Sequence, residues 1–289
     1  MSEEMAGKVV LVTGATNGIG EVTARELAGK GATIVLVGRD EGKTKGIQEN
    51  IRREIGNEHV DYLIADLSSM QEVRDLAQAF KQRYDRLDVL LNDAGAMFTS
   101  RQETVDGFER TFALNHLAYF LLTNLLLDVL KASAPARIVN VSSNAHQGAH
   151  IDFDDLQSAH GYNGMRVYGR SKLMNLLFTY ELARRLEGTG VTANALHPGF
   201  VNTGFAKNNG GVVRVAMNLI GPLVAITPEQ GAQTLIYLAS SPEVEGVSGK
   251  YFTRQKPVKS SAVSYNVEDA RRLWEISAEL VGLAEAVHA

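Results

Sequence analysis

The segment KVVLVTGATNGIG, Lys8 to Gly20, passes directly from a β-branched, apolar run into a loop carrying Gly14, Gly18 and Gly20. A short apolar run of this kind, closed by turn residues, reads as a buried strand. The loop reads as a phosphate-cradling turn that opens a helix. Gly14 lacks a Cβ and can take positive φ, so the chain can leave the strand sharply, while Gly18 and Gly20 let backbone approach a pyrophosphate and pack helix on sheet. Negative oxygens would meet free N–H groups at the positive end of that helix. Thr16, Asn17 and Ile19 lie in the same loop and join the three glycines as candidate cofactor contacts. The spacing, Gly-x-x-x-Gly-x-Gly, differs from Gly-x-Gly-x-x-Gly and lacks the Gly-Lys-Ser/Thr ending of a P-loop. A glycine-rich turn with no ligand is the plain alternative.

Outward from this loop, strands alternate with helices, the pattern that gives a parallel sheet with helices on both faces. Seven strands are expected, near Lys8 to Thr13, Thr33 to Val37, Val60 to Ala65, Leu87 to Asn92, Arg137 to Ser142, Val191 to Leu196 and Lys250 to Thr253. Helices are expected near Glu21 to Gly29, Gly42 to Ile55, Met70 to Tyr84, Gly107 to Lys131, Val167 to Glu187, Pro228 to Ser240 and Val267 to Leu283. With 289 residues, 45% of them hydrophobic, one domain spanning 1–289 can bury a large core. The formal charge of −4 and the scattered Lys and Arg announce no face for nucleic acid. The absence of cysteine removes disulfides, thiolate metal sites and a cysteine nucleophile, and fits the cytoplasm. Only MSEEMAG precedes the first strand, so neither a signal peptide nor an N-terminal membrane anchor is expected. The longest greasy run, Leu117 to Leu130, is too short to span a bilayer and reads as a buried helix.

Ligands of such a sheet sit beyond the carboxyl ends of its strands, so the residues after each strand carry the chemistry. After the second strand, Gly38 stands where an NAD-preferring site places an acidic residue, and Arg39 follows, able to fork two N–H bonds onto a 2′-phosphate. A surface Arg39 paired with Asp40 or Glu41 is the alternative. After the third strand, Asp66 and Leu67 follow; the Asp66 carboxylate could accept from an adenine amine or cap the next helix. Asn92-Asp93-Ala94-Gly95 ends the fourth strand with residues small enough to admit a ribose edge. Asn115, among Phe112, Leu114, Leu117 and Phe120, needs a partner for its amide. The fifth strand ends in Ser142-Ser143, and Tyr168 and Lys172 stand one helical turn apart, so phenol and ammonium share a face.

In this order Thr13-Gly14-x-x-x-Gly18-x-Gly20, Asn92-x-Ala94-Gly95, Asn115, Ser143, Tyr168-x-x-x-Lys172 and Pro198-Gly199 resemble the short-chain dehydrogenase/reductase family over essentially the whole chain. ELARRL at 181–186, HPGFVNT at 197–203, LWEIS at 273–277 and the long segment between Ser143 and Tyr168 resemble its retinol dehydrogenase-like branch. The resemblance implies an α/β fold, a Rossmann-type doubly wound three-layer sandwich around a seven-stranded parallel sheet. It also implies that Tyr168 is the acid in carbonyl reduction and the base in alcohol oxidation. A free phenol titrates near about 10, and a nearby cation, Lys172, favours phenolate and brings it toward working pH. Lys172 would also hold the nicotinamide ribose. Ser143 would donate to the substrate oxygen, with Ser142 as the runner-up. Asn115 would hold a water linking Lys172 to solvent. Pro198, Gly199, Val201 and Thr203 would line the nicotinamide pocket.

The expected activity is therefore hydride transfer between NADP (NADPH), with NAD less favoured, and a small hydrophobic aldehyde, ketone or alcohol. A mostly apolar stretch near 204–226 would close over the substrate. A non-catalytic NADP(H)-binding sensor is the rival from another class, and a sugar-nucleotide epimerase of the extended branch is disfavoured by the glycine spacing. The helices containing Leu117 to Leu130 and Leu173 to Leu186 match those that pair subunits in the family, implying a homodimer or homotetramer. Two features depart from the family pattern: Asp93 replaces an amide, and the segment from Asn144 to Val167 carries His146, His150 and His160. The histidine spacing matches no helical ligand pair, so no metal site is expected.

Overall fold

In the computed structural model, residues 3–200 and 226–283 are described. The run after Lys8 forms strand β1, Val9–Thr13, buried at every position because it lies at the centre of the sheet. Its neighbours are β2 (Thr33–Gly38) and β4 (Val89–Asn92), both parallel to it, in registers that place Val10 beside Ile34 and Val89. Next come β3 (Val60–Ile64), β5 (Ala136–Val141), β6 (Val191–His197), β7 (Tyr251–Thr253) and β8 (Lys256–Val258). The order across the sheet is β3-β2-β1-β4-β5-β6-β7-β8. The chain reverses its direction of winding between β1 and β4, and the loops leaving these strands diverge there to open a crevice.

The sheet has eight strands rather than seven, and it is mixed. Arg254 and Gln255 take positive φ, 51° and 62°, and turn β8 back antiparallel on β7. Two-residue hairpins of this handedness usually carry Asn or Gly, so Arg-Gln gives no turn signal in the sequence. This is otherwise the Rossmann-type α/β architecture.

Helices α1 (Gly18–Gly29), α2 (Glu41–Ile55) and α3 (Met70–Arg83) follow the first three strands. The single helix expected from Gly107 to Lys131 is broken into pieces. Arg110–Phe112 (α4) starts where the buried Glu109 carboxylate accepts from the amides of Thr111 and Phe112. A wide π turn then spans Ala113–Leu117, followed by α5 (Ala118–Leu125) and α6 (Leu127–Ala132). The long α7, Gly164–Arg185, is capped by Asn163, whose side chain accepts from the Arg166 amide. Helix α8 spans Pro228–Ser240 and α9 spans Val267–Leu280.

The apolar residues of α5 and α7, which suggested subunit pairing, are largely covered within the chain. Trp274 of α9 packs on Phe120 (ring centroids 4.9 Å apart) and Phe178 (5.7 Å), and α3 also packs against α5. No helix of the described residues is long and apolar enough to cross a membrane.

Candidate active site

The crevice at the strand ends contains a cavity of about 760 Å³. One wall is the loop after β1, held by a hub at Thr13. The Thr13 hydroxyl donates to Leu91 O (3.1 Å) and accepts from the amides of Asp93 (2.9 Å) and Ala94 (3.2 Å), joining the ends of β1 and β4. Gly14 has φ +70°, and a Cβ there would lie 2.9 Å from Ala94 N and Cα, so only glycine lets the two loops meet. A Cβ on Gly20 would lie 2.7 Å from Asp93 Oδ2, which places that carboxylate against the first turn of α1. At Gly38 a Cβ would overlap Thr44 Oγ1 and lie 2.6 Å from Thr16 Cγ2. A side chain at position 38 would therefore require Thr44 and Thr16 to move.

Gly14, Thr16, Asn17, Ile19, Arg39, Asp66, Leu67, Ala94, Gly95, Ser143, Tyr168, Lys172, Pro198 and Gly199 all border the cavity. Arg39 is exposed and makes no ion pair with Asp40, whose carboxylate instead caps α2 at Lys43 N (2.8 Å). The next helix is capped by Ser69, not by Asp66. Asp66 Oδ1 accepts from the amide and hydroxyl of Ser68 (2.9 and 2.7 Å). Partial burial opposes ionisation, but these bonds and the charges of Arg39 and Arg110 hold its carboxyl below the usual range.

At the other end of the cavity, Ser143 at the end of β5 meets α7. Its hydroxyl faces the Tyr168 phenol, near enough to favour phenolate, and accepts from Ala145 N (3.2 Å). Ser142 is turned away, its hydroxyl donating to Lys172 O at 2.7 Å. Lys172 is buried; Nζ donates to Val141 O (3.0 Å) and lies 5.5 Å from the centre of the Tyr168 ring and 5.8 Å from that of Tyr119. Burial lowers the Lys172 pKa to about 8, opposed by the Asp93 charge, and burial lifts Asp93 to about 7, opposed by Lys172. The expected lowering of the phenol does not hold in the protein alone. Burial, helped by Asp93, pushes Tyr168 above its ordinary value, and only the neighbouring Ser143 hydroxyl works against this. One ammonium N–H is taken by Val141 O, and Nζ lies over the Tyr168 ring.

Two expected site residues stand behind the cavity wall. The Asn92 side chain is fully buried, donating to Asn140 Oδ1 (2.8 Å) and Thr123 Oγ1 (3.1 Å), and so ties β4 to β5 and α5. Asn115, in the π turn, accepts from Ala96 N (2.9 Å) and donates to Ala96 O and Ser171 Oγ (both 3.0 Å). Both amide hydrogens are used, so a water could take only its remaining oxygen lone pair or the main chain. Val201, Thr203 and nearly all of 204–226 lie outside the described residues.

Residues 8–211 match the sequence model of the family described as short chain dehydrogenase. The chain belongs to that family. It is 47% identical to Retinol dehydrogenase 14 of Homo sapiens over 96% of this chain and 88% of that one. It is 44% identical to Polyprenol dehydrogenase of Homo sapiens over 96% and 86%. An uncharacterized protein from Mycobacterium Paratuberculosis superposes with a TM-score of 0.78 at 33% identity, covering 96% of this chain and 94% of that one. The Pseudomonas aeruginosa RhlG/NADP active-site complex gives 0.69 at 27% identity, with 87% and 96% covered. The resemblance to retinol dehydrogenases read from the motifs thus extends over the whole alignment.

Some residues of this short-chain dehydrogenase reach the cavity without a sequence signal. Arg110 borders it beside Asp66, its guanidinium 4.8 Å from the centre of the Phe98 ring and bonded to Gln102. Lys43 reaches back from α2 to Asn17 Oδ1 (3.0 Å) and brings another cation to the glycine loop. Met165 and Phe200, 61% and 50% exposed, give the mouth an apolar rim. Among the described residues no group of histidines and carboxylates could hold a metal. His160 faces Asp155 at 3.6 Å, and His146 is buried.

Proposed function

We propose that this short-chain dehydrogenase is an NADP(H)-dependent oxidoreductase that interconverts a hydrophobic aldehyde or ketone and its alcohol, with Tyr168 as general acid and base. The observation that carries this reading is the meeting of the Ser143 hydroxyl with the Tyr168 phenol, above the Lys172 ammonium, in a cavity whose opposite wall is the glycine loop. The cradle fits a dinucleotide, because Gly14, Thr16, Asn17 and Ile19 border the cavity where β1 passes into the N-terminus of α1, whose amides suit a pyrophosphate. Arg39 and the crowded Gly38 favour a 2′-phosphate over a bare ribose, and the NADP named in the RhlG complex supports the same choice. Asp66, Leu67, Ala94 and Gly95 would hold the adenosine half; Pro198 and Gly199 would hold the nicotinamide.

When bound, NADP(H) supplies or accepts the hydride. The chain does the rest. With its pKa raised, Tyr168 keeps its proton on Oη at neutral pH, the form needed to protonate a carbonyl oxygen. The Ser143 hydroxyl donates to the same oxygen as charge develops. Lys172 holds positive charge beneath the ring and would orient the ribose; Asn115 acts at one remove, locking Gly95 and Ala96 to the first turns of α7 through Ser171. The apolar rim at Met165 and Phe200, and relatives named for retinol and polyprenol, support an apolar substrate. The cytoplasm is the compartment we propose, since a cysteine-free chain needs no oxidising environment to fold.

The test is initial-rate consumption of NADPH and NADH against a panel of apolar aldehydes, ketones and quinones, beside Tyr168→Phe. Turnover preferring NADPH, and lowered about 10²–10⁴-fold in the variant with NADPH still bound, is expected. Equal NADPH binding without turnover in either protein would overturn the reading in favour of an NADP(H) sensor.

A further inference from the structure

The turn after Ser143 is tied to parts of the chain that the proposed chemistry does not use. His146 is completely buried. Its Nδ1 lies 2.6 Å from Ser143 O, which can only accept, so Nδ1 carries the proton. Its Nε2 lies 3.1 Å from Ser261 N, which can only donate, so Nε2 carries a lone pair. One neutral tautomer satisfies both partners, and every other protonation state sets hydrogen against hydrogen or lone pair against lone pair. The Ser143 carbonyl also accepts from the His146 amide at 3.1 Å. Around this pair the turn is gripped further: Tyr251 OH donates to Asn144 Oδ1 (3.0 Å), and the Tyr251 ring stands edge-on to His146 at 5.2 Å.

The far end of the tie leads back to the site. Ser260, next to Ser261, bonds through its hydroxyl to Tyr180 OH (2.7 Å), and Tyr180 lies on α7, the helix that carries Tyr168 and Lys172. Ser143 and Tyr168 come from different elements and face each other through one hydroxyl pair. A second path through His146, Ser261, Ser260 and Tyr180 closes a ring that fixes their separation.

We propose that His146 is the positioning residue for Ser143, bracing the end of β5 against the segment after β8 and through it against α7. This rests on the reading of Ser143 and Tyr168 as the groups acting on the substrate oxygen. A misplacement of about 1 Å at such a group can cost 10²-fold in rate, so the brace has a kinetic signature distinct from a loss of folding.

The experiment is a double-mutant cycle with Ser143→Ala and His146→Phe, reading kcat and NADPH binding separately. His146→Phe alone is expected to lower kcat about 10- to 100-fold, with NADPH affinity changed less than about twofold. In the Ser143→Ala background the same substitution is expected to lower kcat less than about twofold, because the donor it positions is gone. Full additivity would overturn the proposal. His146→Gln, which offers both a donor and an acceptor, is expected to lose less than His146→Phe and serves if the phenylalanine variant fails to fold. Nitrogen-15 spectra of histidine-labelled wild type need no turnover: one ring protonated at Nδ1 and bare at Nε2, absent from the His146 variants, is expected. A His146 ring protonated at Nε2 would overturn the brace. Absence of turnover in the wild type would refute the proposed function alone and leave the spectra to decide the brace.

Discussion

Replacing Asp93 by asparagine tests the electrostatics at the cavity floor. The two side chains are nearly equal in size, and the backbone bonds from Asp93 and Ala94 to Thr13 do not depend on the carboxylate. Burial raises the carboxyl from 3.8 to about 7 in the fold, so the folded state binds this proton more tightly than the unfolded chain does. That preference favours the fold fully at low pH and is lost as pH rises from the ordinary aspartate range through about 7. At 1.36 kcal/mol per unit the whole shift corresponds to about 4 kcal/mol. Asp93 is half-buried and keeps contact with solvent, so we expect roughly half of that, about 2 kcal/mol. Urea denaturation of both proteins at about pH 5 and about pH 8 reads the difference. Asp93→Asn should gain about 1–2 kcal/mol on the wild type between the two. The effect on Lys172 has the same sign: without the carboxylate its pKa falls further, so the buried charge costs the variant more at low pH. A difference that does not change with pH, or one that moves toward the wild type, would refute the reasoning.

Gly38→Ala should lose about 1–3 kcal/mol in the same denaturation assay, because the added methyl overlaps Thr44 Oγ1 and no shift of a long side chain can relieve it. Asn92→Ala removes the partner of a buried Asn140 oxygen and should cost about 1–3 kcal/mol, while NADPH affinity of the folded protein, read by fluorescence, stays the same. Ser142→Ala should cost about 1 kcal/mol of stability with little change in kcat, whereas Ser143→Ala should lower kcat about 10²–10³-fold. Equal kinetic loss in the two serine variants would contradict the assignment of Ser143.

Much of the fold was legible because its signals are local. The β-branched run at Val9 to Thr13, the glycine loop and the alternation of apolar strands with amphipathic helices each depend on a few neighbouring residues, and the motif order carried the family. The sequence by itself also brought Tyr168 and Lys172 to one helical face, because a spacing of four residues on a helix leaves no other arrangement. Distance in sequence hid the rest. The choice between Ser142 and Ser143 depends on which hydroxyl faces the Tyr168 phenol and which is taken up by the Lys172 carbonyl, and Asp66 or Ser69 as the α3 cap depends on which side chain reaches the helix amides. The direction of the Tyr168 shift depends on burial and on a carboxylate from another strand. The β7–β8 hairpin has no local signal because its turn uses Arg254 and Gln255, and the burial of Asn92 behind the cavity wall is set only by the packing of β4 against β5 and α5. Side-chain type and short spacing determined which groups the chain possesses; the packed sheet decided which of them face the crevice, since burial, and with it pKa and hydrogen-bond partner, is set by segments far apart in the chain.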